Sequence, residues 1–300
     1  MVVHFSMNIY KNIKENIYKT WLLFFTVFIL FLIFGWILSY IFQNRLILYI
    51  AIFLGILNNF LSYWYSDKIV IYLTGAKKIE RKDYPEIYNI VENLCITAGI
   101  KTLPKIYILE TPALNAFATG RNEKNAAIVL TSGILKVLNK SELEGVIAHE
   151  LSHIINKDIL VGTFSAIVVS IFAILADLAL RGLIFFQQDE RKKEINPIVF
   201  ILFIFGVLIT PIVAQLIHLA ISRQREFLAD SSGVLLTRYP EGLVSALLKI
   251  SKNPYIETSP NFAHLFIENP IPQKSKTPWY IKIWLTHPPI EERIERLMKR

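Results

Sequence analysis

The sequence predicts a mainly α membrane protein in which four apolar helices carry a cytosolic α+β domain with a small sheet. Three observations lead there. Of 300 residues, 53% are hydrophobic and only 19% charged, with mean hydropathy +0.43, a balance outside that of soluble domains. Uncharged runs of about 20 residues recur, each long enough to cross a ~30 Å hydrocarbon layer as a helix. Lysine and arginine crowd the polar segments beside those runs and give a net charge of +8, the positive-inside pattern rather than a nucleic-acid surface. With 13% aromatic residues the chain is not disordered. A single cysteine, Cys95, excludes an intramolecular disulfide and a multi-thiolate metal site, so any metal must be held by histidine and carboxylate.

The first span covers residues 20–42, which carry no charge and form too long a run for a cleaved signal peptide. Residues 46–66 form the second, with Asn58 and Asn59 inside and Trp64 and Tyr65 at an interface, so that a hairpin turns at residues 43–45. A third apolar run, 159–180, is interrupted by Asp177, which Arg181 can pair one turn on. The fourth, 198–220, contains Pro211, Gln215 and His218. Lys11, Lys14 and Lys19 precede the first span, and Lys68, Lys77, Lys78, Arg81 and Lys82 follow the second, whereas the hairpin tip holds only Arg45. The N-terminus and the segment after residue 66 are therefore expected in the cytoplasm. Four units result: a transmembrane hairpin (1–66), a first polar part (67–158), a second apolar hairpin (159–221) and a second polar part (222–300). The two polar parts are expected to form one domain.

Within the polar parts, Ile87, Ile90, Val91 and Leu94 give a helix over 85–98, stopped by Gly99. Residues 105–109 alternate like a strand, 126–131 form a compact apolar strand, and 115–120 read as loop or strand edge. Ser141 with Glu144 three residues later is a capping box opening a helix through Leu143, Val146, Ile147 and Leu151. Five prolines make 253–278 a loop, and Pro288 leads a charged amphipathic C-terminal helix.

The chemistry lies on the helix opened at Ser141. His149-Glu150-Leu151-Ser152-His153 is H-E-x-x-H, and chance placement of these residue types would produce it in only about 0.7% of such chains. Imidazoles at i and i+4 lie ~40° apart on one helix face and can reach a single zinc, while Glu150 projects beside it to take a proton from water. Catalytic zinc needs a third protein ligand and an open position. His4, His218, His264, His287 or a carboxylate could supply it. Glu226 and Asp230 stand at helical i, i+4 spacing, Glu226 able to ligate and Asp230 able to hold the other N–H of a ligand imidazole.

Several motifs occur together. His149-Glu-Leu-Ser-His153 is followed by Ile-Ile-Asn156-Lys-Asp158. Asn115-Ala-Phe-Ala-Thr-Gly120 precedes it, Ser222-Arg-Gln-Arg-Glu-Phe-Leu-Ala-Asp230 comes after it, and Thr286-His287-Pro288-Pro289 stands near the end. In order and over nearly the whole chain, this set resembles the HtpX family of integral-membrane zinc metalloproteases, whose wider relatives include the type I CAAX prenyl proteases. The resemblance implies a zinc-metallopeptidase domain with one zinc per chain, held by His149, His153 and Glu226, with Glu150 as general base and Asp230 behind a ligand. It further implies hydrolysis of misfolded or damaged membrane proteins, in a multi-pass protein of the cell membrane whose active site faces the cytoplasm. The partners expected are polypeptides and the lipid bilayer, and not nucleic acid. In such chemistry Glu150 accepts the proton of a metal-activated water and returns it to the leaving amine. The oxyanion needs donors, for which Asn115, Arg223 and His287 are candidates, His287 being alternatively a fourth, inhibitory zinc ligand. Residues 126–130 suit an edge strand to which an extended substrate adds. Two other readings are a prenyl-peptide processing protease, for which four spans look too few, and a catalytically silent membrane scaffold, which loss of Glu150 or a ligand would favour.

Overall fold

In a computed structural model of the chain, the residues described are 2–165, 167, 168, 223–252 and 288–299. Most of the third and fourth apolar runs, with Asp177, Arg181 and His218, lies outside them, as do the loop at 253–278, His264 and His287. Residues 159–165 are helical.

Helix α1 (Val2–Ile41) and helix α2 (Arg45–Trp64) form the expected hairpin. Asn44, in an extended conformation, caps α2 by accepting a hydrogen bond from the Leu46 N–H at 2.9 Å. A side chain at Gly35 would place its Cβ 2.1 Å from that of Ala51, so the missing side chain is what lets the helices touch. Residues Lys14–Ile41 and Arg45–Trp64 are each long and apolar enough to cross a membrane. Trp21, Phe25, Trp36, Phe53 and Phe60 point outward and are exposed. Such an outer surface suits lipid rather than water. Helix α1 begins well before the apolar run, and its buried Asn16 side chain donates to the Asn156 carbonyl at 3.2 Å.

Beyond the hairpin come α3 (Ser66–Thr74), β1 (Lys77–Lys78), α4 (Pro85–Ala98), β2 (Lys105–Leu109), β3 (Ala116–Gly120) and β4 (Ala126–Thr131). Helix α4 starts on Pro85 and stops where Gly99 turns left-handed at φ 71°, as the sequence predicts. The sheet order is β1-β2-β4-β3, with β2 and β4 parallel and the outer pairs antiparallel. This corrects the reading of residues 126–130 as an edge. Strand β4 is interior, every residue of it buried, and β3 is the edge beside it. The correction has a physical reason, since a continuous apolar run such as Ala126-Ala-Ile-Val-Leu130 fits a strand covered on both faces. One face meets α4 and the helix carrying H-E-x-x-H through Ile106, Ile128 and Leu130. The other meets α3, which the sequence did not reveal, through Val70 against Phe117 and Val129.

After β4 follow α5 (Ser132–Val137), α6 (Lys140–Ile155), α7 (Arg223–Thr237), α8 (Pro240–Ser251) and α9 (Ile290–Met298). The capping box of α6 lies two residues earlier than expected. Asn139 accepts from the Glu142 N–H at 3.0 Å and Glu142 accepts from the Asn139 N–H at 2.8 Å. Glu142 is held there by Ser245 and Lys249 of α8, at 2.6 and 2.7 Å, contacts that Ser141 and Glu144 do not have. Helix α6 thus lies between the sheet and the pair α7 and α8, its Val146, Ile147 and Leu151 fully buried.

Candidate metal centre and active site

Two helices bring the centre together, and one glycine sets their spacing. On α6, His149 and His153 share a face by their i, i+4 spacing, and on α7 Glu226 and Asp230 do the same. Gly233, on that same face of α7, lies against the α6 backbone. A Cβ there would come 3.0 Å from the His149 nitrogen. The close approach carries Glu226 up to both imidazoles, its oxygens 3.6 Å from His149 Nε2 and 3.7 Å from His153 Nε2, with the two Nε2 atoms 3.2 Å apart. Ligands of a tetrahedral zinc at ~2.0–2.2 Å stand about 3.3–3.6 Å from one another. The three side chains therefore fit that ion in spacing and in donor type. Among the described residues they are the group of histidine, cysteine or carboxylate ligands that could hold a metal.

Each imidazole is oriented from behind. His149 Nδ1 lies 2.9 Å from Asp230 Oδ1, and His153 Nδ1 lies 3.1 Å from Asp158 Oδ2, so both Nε2 atoms turn to the centre. Asp158 returns to His153 because Lys157 takes a left-handed conformation, φ 55°, just past α6, and the Asp158 N–H donates to the His153 carbonyl at 3.2 Å. Asp230 is gripped by Arg293 of α9, whose Nε donates to Oδ2 at 2.9 Å and Nη2 to Oδ1 at 2.6 Å. Arg225 is buried near Asp158 and Glu226.

The electrostatics favour positive charge on the two imidazoles. Burial works against protonation of His153, but Asp158, Glu226 and Glu150 outweigh it and push its pKa up to about 10. His149 is likewise raised, its burial overcome by Asp230 and Glu226. Burial would raise Asp230, yet Arg293 and His149 hold it down at about 2. Glu150, buried beside the histidines, has its pKa raised first by burial and then by Glu226, against the pull of both imidazoles and of the Ala118 backbone N–H.

Of the sequence-derived candidates, His149, Glu150, His153, Glu226 and Asp230 are gathered within this one centre. Asn115 is buried at the entry to β3, where its side-chain oxygen accepts from the Ala116 N–H at 2.7 Å. Arg223 is exposed at the first residue of α7, and His287 lies outside the described residues. Sequence reasoning gave no role to Asp158, Arg225 or Arg293. For Arg293 a signal existed, because it shares the face of Ile290 and Leu297 at i, i+3, i+7 spacing, where an apolar residue belongs.

Residues 81–300 match the model of peptidase family M48. A protease HtpX homolog of Dictyoglomus turgidum is 42% identical over 291 residues, covering 96% of this chain and 93% of that protein. One of Tropheryma whipplei is 46% identical over 237 residues, covering 78% and 79%. The crystal structure of S. mikatae Ste24p aligns with a TM-score of 0.50 at 21% identity, over 96% of this chain but only 66% of that one, a likeness of fold.

Proposed function

The chain belongs to peptidase family M48, and from that premise we propose that it is a membrane-embedded zinc endopeptidase that hydrolyses misfolded or damaged membrane proteins. The carrying observation is the convergence of two imidazole Nε2 atoms, 3.2 Å apart, with the Glu226 carboxylate, one oxygen 3.6 Å from His149 and the other 3.7 Å from His153, and with Glu150 buried alongside. His149, His153 and Glu226 would hold one zinc per chain, Asp230 fixing the ring of His149. When bound, the ion supplies Lewis acidity and lowers the pKa of water to ~7. Glu150 takes the water proton, at an oxygen near the Ala118 N–H, and passes it to the departing amine. Asn115, Arg223 and His287 stand as the side chains to answer the oxyanion.

An extended substrate would add to β3, the edge strand beside β4, where the outward N–H groups of Ala116 and Gly120 are held by Asn115 Oδ1 and Thr163 Oγ1 and pairing would fall to β3 carbonyls. Ala118 turns its N–H away from β4 toward Glu150, so strand addition there delivers a peptide bond to the general base. Pairing through the backbone makes few demands on side chains, as a quality-control protease requires. The likeness to Ste24p is one of fold and carries no substrate with it. Cation placement supports a cytosolic active site, with the hairpin 1–66 and a second hairpin within 159–221 anchoring the parts 67–158 and 222–300.

The test is zinc content of the purified protein together with cleavage of an unfolded membrane protein, with and without chelator. Glu150→Gln should keep its zinc and lose turnover by about 10²–10⁴-fold. A metal-free active wild type, or near-normal turnover by Glu150→Gln, would overturn the reading.

A further inference from the structure

The guanidinium of Arg293 is fully buried on a nine-residue helix whose outer face is otherwise highly charged. Apolar packing does not explain it. Its neighbours on the same face, Ile290 and Leu297, pack against Leu243, Val244 and Leu247 of α8, and an apolar residue between them would extend that contact. Instead Arg293 reaches Asp230 with a two-pronged grip at 2.9 and 2.6 Å, while Asp230 Oδ1 lies 2.9 Å from His149 Nδ1. A forked donor on both carboxylate oxygens fixes the plane of that carboxylate, which a single bond leaves free to rotate. Only a fixed plane keeps Oδ1 aimed at Nδ1, and hence Nε2 of His149 aimed at the metal position.

We propose that Arg293 is a positioning residue for the metal centre, acting through Asp230 on His149, so that the C-terminal helix α9 takes part in holding zinc. The proposal rests on the zinc reading of the site and goes beyond it, since α9 carries no ligand. The coupling runs both ways by linkage. If docking of α9 tightens zinc, zinc must tighten the docking of α9 by the same factor.

The experiment uses the full-length protein in detergent, with zinc affinity measured by competition against a chromophoric chelator and amide exchange followed across residues 288–299. Removing zinc from the wild type should speed exchange in α9. Arg293→Gln should weaken zinc binding by roughly 10–100-fold, the range for groups that orient a ligand. Arg293→Lys keeps the charge and loses the fork, and should fall between the two. It also carries the test should Arg293→Gln not fold. In an Asp230→Asn background Arg293→Lys should cost clearly less than it does alone, because the route through Asp230 is cut and only the longer contact of Arg293 Nη2 with His149 Nδ1, at 3.4 Å, remains. A merely structural arginine would give independent, multiplying losses instead. That result, or wild-type zinc affinity in folded Arg293 variants, would overturn the proposal while leaving the zinc site intact. A wild type that binds no zinc would remove the site and this role with it.

Discussion

Replacing Gly233 by alanine should damage the metal centre without touching a ligand. The built Cβ lies 3.0 Å from the His149 nitrogen and 3.2 Å from both the Ala148 carbonyl carbon and the His149 Cα, where ordinary contact starts at 3.4 Å. All three are backbone atoms of α6, so no side chain can swing aside. Relief requires α7 to move off by about 0.4 Å, well beyond the ~0.2 Å tolerance of metal–ligand distances. Glu226 and Asp230, on the face of α7 that Gly233 shares, move with it. Zinc affinity should fall about tenfold or more, as when an imidazole loses its orienting partner. Stability should change far less, because alanine gains up to ~1 kcal/mol of helix propensity over glycine, offsetting part of the ~1–3 kcal/mol that overpacking costs. The assay pairs a zinc competition titration with thermal unfolding of the chelated protein. An affinity within twofold of wild type, in a folded variant, would refute the claim that this close approach sets the ligand geometry.

Three further outcomes are expected. In the chelated protein the His153 pKa stands at about 10 against an ordinary 6.5. A raised folded-state pKa stabilises fully below the unfolded value and is lost as pH climbs through the folded one, so Tm should fall between pH 6.5 and 10, and a flat or rising Tm there would contradict it. Zinc binding should follow the opposite course and tighten with pH, since protons compete for the same nitrogens. Asp158→Ala should weaken zinc binding roughly 10–100-fold, whereas Glu226→Ala should strip the metal and activity together; full zinc occupancy in the Glu226 variant would relocate the third ligand. In a Cys95→Ser background, a thiol reagent outside intact cells should modify a cysteine placed at Asn44 and spare one at Lys78, and the reverse pattern would put the active site outside.

What a few consecutive residues can encode was legible before any folding partner was known. Helix α4 is bounded by Pro85 and Gly99, whose backbone preferences act within one turn, and its apolar spacing shows its buried face. The pairing of His149 with His153, and of Glu226 with Asp230, follows from helical repeat alone. Tertiary structure decided what depends on distant chain. Residues 126–131 were legible as a strand, but their interior place comes from β2 and β3 on either side and α3 behind, and pairing partners are not written in the strand itself. Asn139 with Glu142 and Ser141 with Glu144 offer the same capping spacing in one stretch, and Ser245 and Lys249 of α8 favour the first. Which carboxylate backs which imidazole was likewise open. Asp158 reaches His153 through a left-handed turn at Lys157, and Asp230 reaches His149 only because Gly233 admits α7 against α6 and Arg293 clamps it from α9. Helical and strand repeats are set by local dihedral angles, whereas a metal centre is set by how closely separate helices pack, and that distance depends on side chains far apart in the chain.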